Sequence, residues 1–441
     1  MSSTTREECD VLVIGGGPAG STASILLAQR GHRVVLLEKE SHPRFHIGES
    51  LLPANLPLFE KLGVAGKMRE IGMEKWGATF VSPWHDFTAG FDFAGGTDPS
   101  LAFAYQVRRS EFDEILFRHA AASGARALEG WRVHDLELGD RGSLPNVRAA
   151  GPNGHEREWR ARFVVDATGR DTLLANRLKV KRRNPDHNSA AMYGHFRCAQ
   201  REGGRLEGNI IIFWFDHGWF WFIPLKDGIT SVGAVVWPYY MKARGKPLRE
   251  YFLDTISLCP ALNARLTGAE LVAEPEATGN YSYDSALCQG DNFVMLGDAY
   301  AFVDPVFSSG VMLAMNSAFA GTAVVDARLA GDSAAEAKAR RAFDGVMRKG
   351  PREFSWFIYR VTNPALRELF MAPSERFAMK KSILTVLAGD IFGRTRFHAG
   401  LYAFRAVYYL VSLLHLGRSI SAWRRRAFNI RDDSEMRPSR G

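Results

Sequence analysis

Residues 9–20 read CDVLVIGGGPAG, an apolar run that ends in Gly15, Gly17 and Gly20 spaced as G-x-G-x-x-G. The run 9–14 predicts a buried parallel strand, residues 15–20 a tight turn, and 21–31 (STASILLAQRG) a helix of small apolar side chains. Residues 32–38 (HRVVLLE) predict the next strand, which completes a βαβ unit at the start of the chain. In such a unit the first glycine permits the turn, the second lets backbone approach a pyrophosphate, and the third lets the helix close on the strand. The helix N-terminus that follows then presents free N–H groups and a positive dipole end to phosphate, with Pro18 and Ala19 of the turn among the cofactor contacts. Glu38, 18 positions beyond Gly20, ends the second strand where a carboxylate can accept hydrogen bonds from a ribose diol. Either NAD or FAD satisfies these residues.

Working outward, residues 112–124 predict a helix, 147–150 and 163–166 (FVVD) short strands, 293–296 (FVML) a further buried strand, and 311–329 an apolar helix. From about 179 to 290 the pattern turns β-rich, with strands over 209–215 and 230–237, and predicts an antiparallel substrate domain inserted into the dinucleotide-binding one. The expected organisation is α/β: a Rossmann-like unit from 1–178 and 291–333, a β-rich unit from 179–290, and a helical region from 334–441 that covers the substrate cleft, with its last ten residues frayed.

With 441 residues, 46% hydrophobic and 24% charged, the chain has the composition of an ordinary globular protein with ample material for a large core. Its net charge of +8 comes without a zinc-finger spacing or RNA-module signature, so nucleic acid is not an expected partner. Cys9, Cys198, Cys259 and Cys288 form no CxxC pair; neither a metal site nor a disulfide framework is expected, and a reducing cytoplasm fits. The polar start, with Glu7, Glu8 and Asp10, is unlike a secretory signal. Only 12 residues separate Arg405 from Arg418, too few for a helix to cross a bilayer. The excess of Arg418, Arg424, Arg425, Arg426 and Arg431 beside an apolar segment leaves two partners open, an acidic carrier protein or an anionic membrane surface met peripherally by the C-terminal helices.

Two later segments decide the nucleotide. Residues 166–170 (DATGR) and 297–299 (GDA) each follow a predicted strand and resemble the second and third flavin motifs of the glutathione-reductase-type FAD monooxygenases. The resemblance implies FAD, with Asp298 at its ribityl or ribose part. Arg109 to Asp113 (RSEFD) is similar to that group's R-x-x-F-D, which implies that Arg109 lies near the flavin diphosphate; a solvated charge at a helix start is the alternative.

Residues 219–224 (WFWFIP) keep W-x-W-x-I-P intact, and here the chain resembles the flavin-dependent halogenases. Two indoles at period two share one face of a strand that Pro224 ends. The resemblance implies that Trp219, Trp221, Ile223 and Pro224 separate flavin from organic substrate. Residues 75–80 (KWGATF) resemble the family's K-x-G-A-x-F, which makes Lys75 the implied catalytic residue; it would hydrogen-bond hypohalous acid or, as the neutral amine, become a haloamine. Residues 304–310 (DPVFSSG) resemble the loop against the isoalloxazine. This implies flavin contact at Pro305 and Gly310 and halide held by backbone N–H groups at Ser309 and Gly310, with helix capping by Ser308 or Ser309 compatible.

Residues 44–53 (RFHIGESLLP) also follow the family and bring Arg44, Gly48, Glu49 and Ser50 toward the flavin, while His46 receives no catalytic role. The GGGPAGS start is closer to the branch acting on phenols, pyrroles and carrier-bound acyl groups than to the tryptophan branch. Chloride or bromide, reduced FAD from a separate flavin reductase, and an aromatic substrate, free or on an acyl carrier protein, are the implied co-reactants. A flavin hydroxylase, a polyprenyl-type reductase and a non-catalytic flavoprotein share part of this motif set.

Overall fold

The computed structural model describes residues 5–430 apart from 97, 140–142, 280–281, 374–377 and 394–397. The frayed end expected after residue 431 lies outside the described residues.

Five parallel strands form the first sheet in the order Phe293–Met295, Glu156–Asp166, Thr5–Ile14, Val34–Glu38, Arg126–Glu129. The Thr5–Ile14 strand sits where the order reverses, and in such sheets that switch point opens a crevice beyond the strands' carboxyl ends. Alternation along this strand splits the core. Val11 and Val13 pack under the helices Pro18–Gln29, Arg109–Ala122 and Gly310–Ala330, while Leu12 and Ile14 face Trp131 and Trp159 of an antiparallel annex. The first helix begins at Pro18 rather than at Ser21, because Pro18 with its fixed φ suits the opening turn and Gly17 serves as N-cap.

The second sheet runs Glu270–Leu271, Ala190–Arg197, Ile229–Val236, Gly218–Pro224, Ile210–Phe215, Gly77–Val81, Ala89–Asp92. Two of these strands come from well before residue 179, so the sheet is not built from the predicted insertion alone. Gly77–Val81 runs parallel to Ile210–Phe215, a pairing across more than a hundred residues that local patterning cannot reveal.

This sheet is buried on both faces, and the Gly218–Pro224 strand is buried at all seven positions. Its even and odd side chains separate cleanly. Phe220 and Phe222 pack toward Phe252 and Ile256 of the Leu248–Ser257 helix, whereas Trp219, Trp221 and Ile223 enter a cluster with Phe354, Phe357, Phe370, Phe404 and Tyr408 of the C-terminal helices. The helical region thus lies against the tryptophan face.

Candidate functional site

The glycine turn is held by contacts that leave no room for a side chain. Gly15 has φ of +105°, and a Cβ there would lie 2.3 Å from the Ala167 carbonyl oxygen. A Cβ on Gly20 would come within 1.9 Å of the Gly15 oxygen, so Gly20 sets how closely helix meets strand. Gly17 differs: nothing but the Arg44 guanidinium, at 3.7 Å, stands near its Cβ position, and no side chain caps the helix. The N-terminal N–H groups are left facing open space, the arrangement that phosphate fills.

Around this turn the charged groups interlock. Glu38 accepts from the Gly16 and Glu40 N–H groups at 2.7 and 3.0 Å and lies 3.5 Å from Arg44. Arg44 and Arg109 converge on Asp113: Arg44 contacts it at 3.2 Å, and Arg109 donates to both carboxylate oxygens at 2.8 and 3.0 Å. Burial alone would raise the Asp113 carboxyl, but Arg109 and then Arg44 outweigh it and hold it below the usual carboxylate range. A third Arg109 bond, 3.0 Å to the Ile47 oxygen, ties the helix to the segment carrying Gly48, whose φ of +104° turns the chain into the cavity wall.

One cavity of about 380 Å³ collects these groups. Gly15, Gly17, Pro18, Ala19, Glu38, Arg44, Gly48, Glu49, Ser50, Arg109, Asp298, Pro305 and Gly310 line it, as do Trp219, Trp221 and Ile223. Gly20, Lys75, Pro224 and Ser309 do not. Burial pushes the Asp298 carboxyl up to about 6 against the pull of Arg109 and Arg170. Glu49 contacts His195 at 2.8 Å through one oxygen, and its other oxygen is buried without a hydrogen-bond partner, a polar atom placed for a ligand to satisfy. Burial, then Arg109, lowers His46 to about 4, which adds no further cation beside Arg44 and Arg109 on the wall. The open helix end, the carboxylates and the apolar indole wall together fit a dinucleotide with a flat, apolar ring.

Lys75 stands behind the wall. It is 1% exposed, and its Nζ donates to Ser50 Oγ at 2.9 Å and to the Leu51 carbonyl at 3.0 Å. The Phe93 ring lies 5.5 Å beneath the charge. Both acceptors are neutral, so burial pushes the ammonium down to about 7. The lysine ends the short strand Met73–Lys75, paired with Ala104–Gln106, and Gly77 follows because a Cβ there would lie 2.1 Å from the Phe91 oxygen.

At the far side, Ser309 precedes the Gly310–Ala330 helix without a side-chain capping bond. The capping allowed from sequence is therefore not made by Ser309, and Ser308 sits at φ +54°, outside the helix. Asp304 anchors the loop: one oxygen accepts from the Val306 N–H at 3.1 Å, the other meets His187 at 2.8 Å and Ser189 at 3.0 Å. Ser309 lines a smaller cavity behind this loop, which shares Asp298, Phe302 and Gly310 with the large one.

Residues 8–336 match the FAD binding domain family. A 1H-pyrrole-2-carbonyl-(peptidyl-carrier protein) chlorinase of Pseudomonas fluorescens is 31% identical over 88% of the chain and 90% of its own length. A flavin-dependent halogenase of Armillaria mellea is 35% identical over 76% of the chain and 71% of its own length. The chain belongs to the flavin-dependent halogenases. Among solved structures, the myxobacterial chondrochloren halogenase, an FAD-dependent enzyme, superposes with a TM-score of 0.76 at 31% identity, covering 92% of this chain and 97% of that one. FAD and a halide, chloride or bromide, are accordingly the chain's co-reactants.

Sequence reading missed several groups that the fold brings here. Asp113 ends the RSEFD motif read from sequence, but its pairing with Arg109 and Arg44 was not assigned there. His195, His187 and Ser189 come from the second sheet or the segment leading into it, and no spacing links them to Glu49 or Asp304.

Proposed function

We propose that the chain uses reduced FAD, O2 and chloride or bromide to halogenate an electron-rich aromatic carbon, with Lys75 as the catalytic residue. A substrate tethered to an acyl carrier protein is favoured by the pyrrole-carrier chlorinase among its relatives. The observation that carries the reading is the buried Lys75 amine, bonded only to neutral acceptors and one hydroxyl away from the flavin cavity.

When bound in reduced form, FAD supplies with O2 the two-electron oxidation of halide to hypohalous acid, with water as the by-product. The protein's part is to hold the reactants and keep water out. Gly15, Gly17, Pro18, Ala19 and the open helix end hold the diphosphate, Glu38 the ribose, Asp298 the ribityl chain, and Arg109 with Arg44 offsets phosphate charge. Gly48, Glu49, Ser50 and Pro305 frame the ring edge. Backbone N–H groups at Ser309 and Gly310, at the positive end of a 21-residue helix, hold the halide. Trp219, Trp221, Ile223 and Pro224 wall the flavin from the aromatic substrate.

Lys75 then meets hypohalous acid. As the ammonium it donates a hydrogen bond to the hypohalous oxygen; the carbon–halogen bond forms, the halogen–oxygen bond breaks, and the departing hydroxide takes the ring proton to leave as water. As the free amine it would exchange an N–H for N–halogen, that proton leaving with the hydroxide as water; the halogen would then pass to carbon as the N–halogen bond breaks and the ring proton returns to nitrogen. With Lys75 near neutrality both forms are accessible.

A separate flavin reductase supplies the reduced cofactor, because the chain carries no clear second G-x-G-x-x-G for a nicotinamide donor. A cytoplasmic setting is supported by four unpaired cysteines. The test is mass spectrometry of products from full-length protein, a flavin reductase, both halides, and free or carrier-loaded aromatic acids. Halide-dependent mass shifts that vanish in Lys75→Ala are expected; hydroxylated or reduced product alone would overturn the reading.

A further inference from the structure

The helix His398–Leu414 has two apolar faces. Leu401, Phe404 and Tyr408 point inward to the cluster that holds Trp219 and Trp221. Tyr402, Tyr409, Leu410, Leu413 and Leu414 point outward, each more than half exposed. Their spacing of i, i+7, i+8, i+11 and i+12 keeps them on one side of the helix, a stripe about 18 Å long at 1.5 Å per residue. The helix's own Arg405 turns aside to Glu353 at 2.8 Å, and the one described cation that meets the stripe is Arg360, which donates to the Tyr409 hydroxyl at 3.1 Å.

The chain then bends by 102° into the helix Leu416–Asn429. Leu416, Ile420, Trp423 and Phe428 continue an exposed apolar stripe, now flanked by the exposed guanidiniums of Arg418, Arg424 and Arg425. Arg426, expected from sequence to join that group, instead turns inward, donating to the Asp186 carbonyl and lying 5.0 Å over the Tyr359 ring. Between residues 398 and 430 there is no Asp or Glu.

We infer that this elbow of two helices is a docking surface for an anionic phospholipid membrane, lying in the headgroup layer with its apolar stripe toward the acyl chains. An uncharged stripe wider than scattered surface apolar residues marks an interaction face, and Trp, Tyr and flanking Arg are the side chains that settle at a lipid–water boundary. The geometry favours lying on a bilayer over crossing it: the first helix, at 17 residues, is at the lower limit of a span, its inner face is packed in the core through Leu401, Phe404 and Tyr408, and the bend redirects the chain. A second copy would bring Arg418, Arg424 and Arg425 against an equally basic face with no acid to meet them. An acidic carrier would satisfy the second helix but leave the apolar outer face of the first helix uncovered. Membrane docking does not depend on the halogenation chemistry. It would turn the tryptophan side of the molecule toward the bilayer, since the same helix backs both.

The experiment is flotation of the FAD-loaded full chain with phosphatidylcholine vesicles, with and without phosphatidylglycerol. Binding to the anionic vesicles alone, weakened by salt, is expected. Arg418→Gln, Arg424→Gln and Arg425→Gln should each lower it roughly fivefold, and Leu413→Glu with Trp423→Glu should abolish it. All variants should keep bound flavin and turnover of a water-dissolved substrate, so failed docking and failed halogenation read out separately. Absence of binding to either vesicle overturns the inference. So does a dimer in light scattering that Leu413→Glu with Trp423→Glu dissociates, or loss of carrier-protein binding in the same variants without any vesicle binding.

Discussion

Lys75 Nζ and Ser50 Oγ are 2.9 Å apart, and they stand on opposite sides of the flavin cavity's wall: Ser50 is part of its lining, Lys75 is behind it. Ser50 thus links the lysine to the lining of the large cavity. Replacing Lys75 with alanine should abolish halogenated product while FAD absorbance is retained. Ser50→Ala should lower kcat about tenfold and leave halide KM nearly unchanged, with Ser50→Thr restoring most of the loss. A Ser50→Ala enzyme with unaltered kcat would show that the hydroxyl does not position the amine.

The same burial has a stability signature. Lys75 titrates near 7 in the folded protein and near 10.5 when unfolded, so between these values the unfolded chain binds more protons and stability rises with pH. Lys75→Met removes the buried charge. Its Tm should exceed wild type at pH 6, where the desolvation cost is fully present, and the gap should close as pH approaches 10. Thermal melts of apoprotein across that range provide the check; a gap that widens with pH would contradict the assignment.

Gly20→Ala places a methyl 1.9 Å from the Gly15 carbonyl oxygen, backbone against backbone, where no rotamer can relieve it. The expected cost is about 3 kcal/mol or more, read as a lowered Tm and loss of FAD through gel filtration. Gly63→Ala in the first region, with open space at its Cβ but φ of +71°, should cost much less.

Asp304 holds the loop before Ser309 through Val306, His187 and Ser189. Asp304→Ala removes all three bonds and should raise halide KM about tenfold, while FAD affinity changes less than twofold. Steady-state kinetics with varied bromide, beside a flavin titration, separates the two.

Trp221 lines the cavity and is fixed by its indole N–H, which donates to Ser231 Oγ at 3.1 Å. Trp221→Ala opens the wall between flavin and substrate. Hydrogen peroxide released per reduced flavin consumed should rise severalfold as halogenated product falls; unchanged coupling would remove the proposed barrier role.

Legibility differed from element to element for physical reasons. The turn at Gly15 to Gly20 could be read because two demands are local, the positive φ at Gly15 and the close approach of Gly20 to the Gly15 carbonyl, while Gly17 leaves open space for a ligand. The Trp219 and Trp221 face could be read because a strand alternates with period two. By contrast, the pairing of Gly77–Val81 with Ile210–Phe215, the meeting of Arg44 with Asp113, and the His187–Asp304 contact join segments that no local pattern couples.

The amino-acid sequence by itself determined the βαβ opening, because spacing within one strand, turn or helix is set by backbone geometry; the later flavin motifs and the candidate Lys75 rest on resemblance to the halogenases' motifs. Tertiary structure alone decided that Lys75 is buried without a counter-ion behind Ser50, and that Arg426 faces inward while its neighbours face solvent. Burial and charge pairing depend on what distant segments bring to a side chain, and only the closed fold supplies those neighbours.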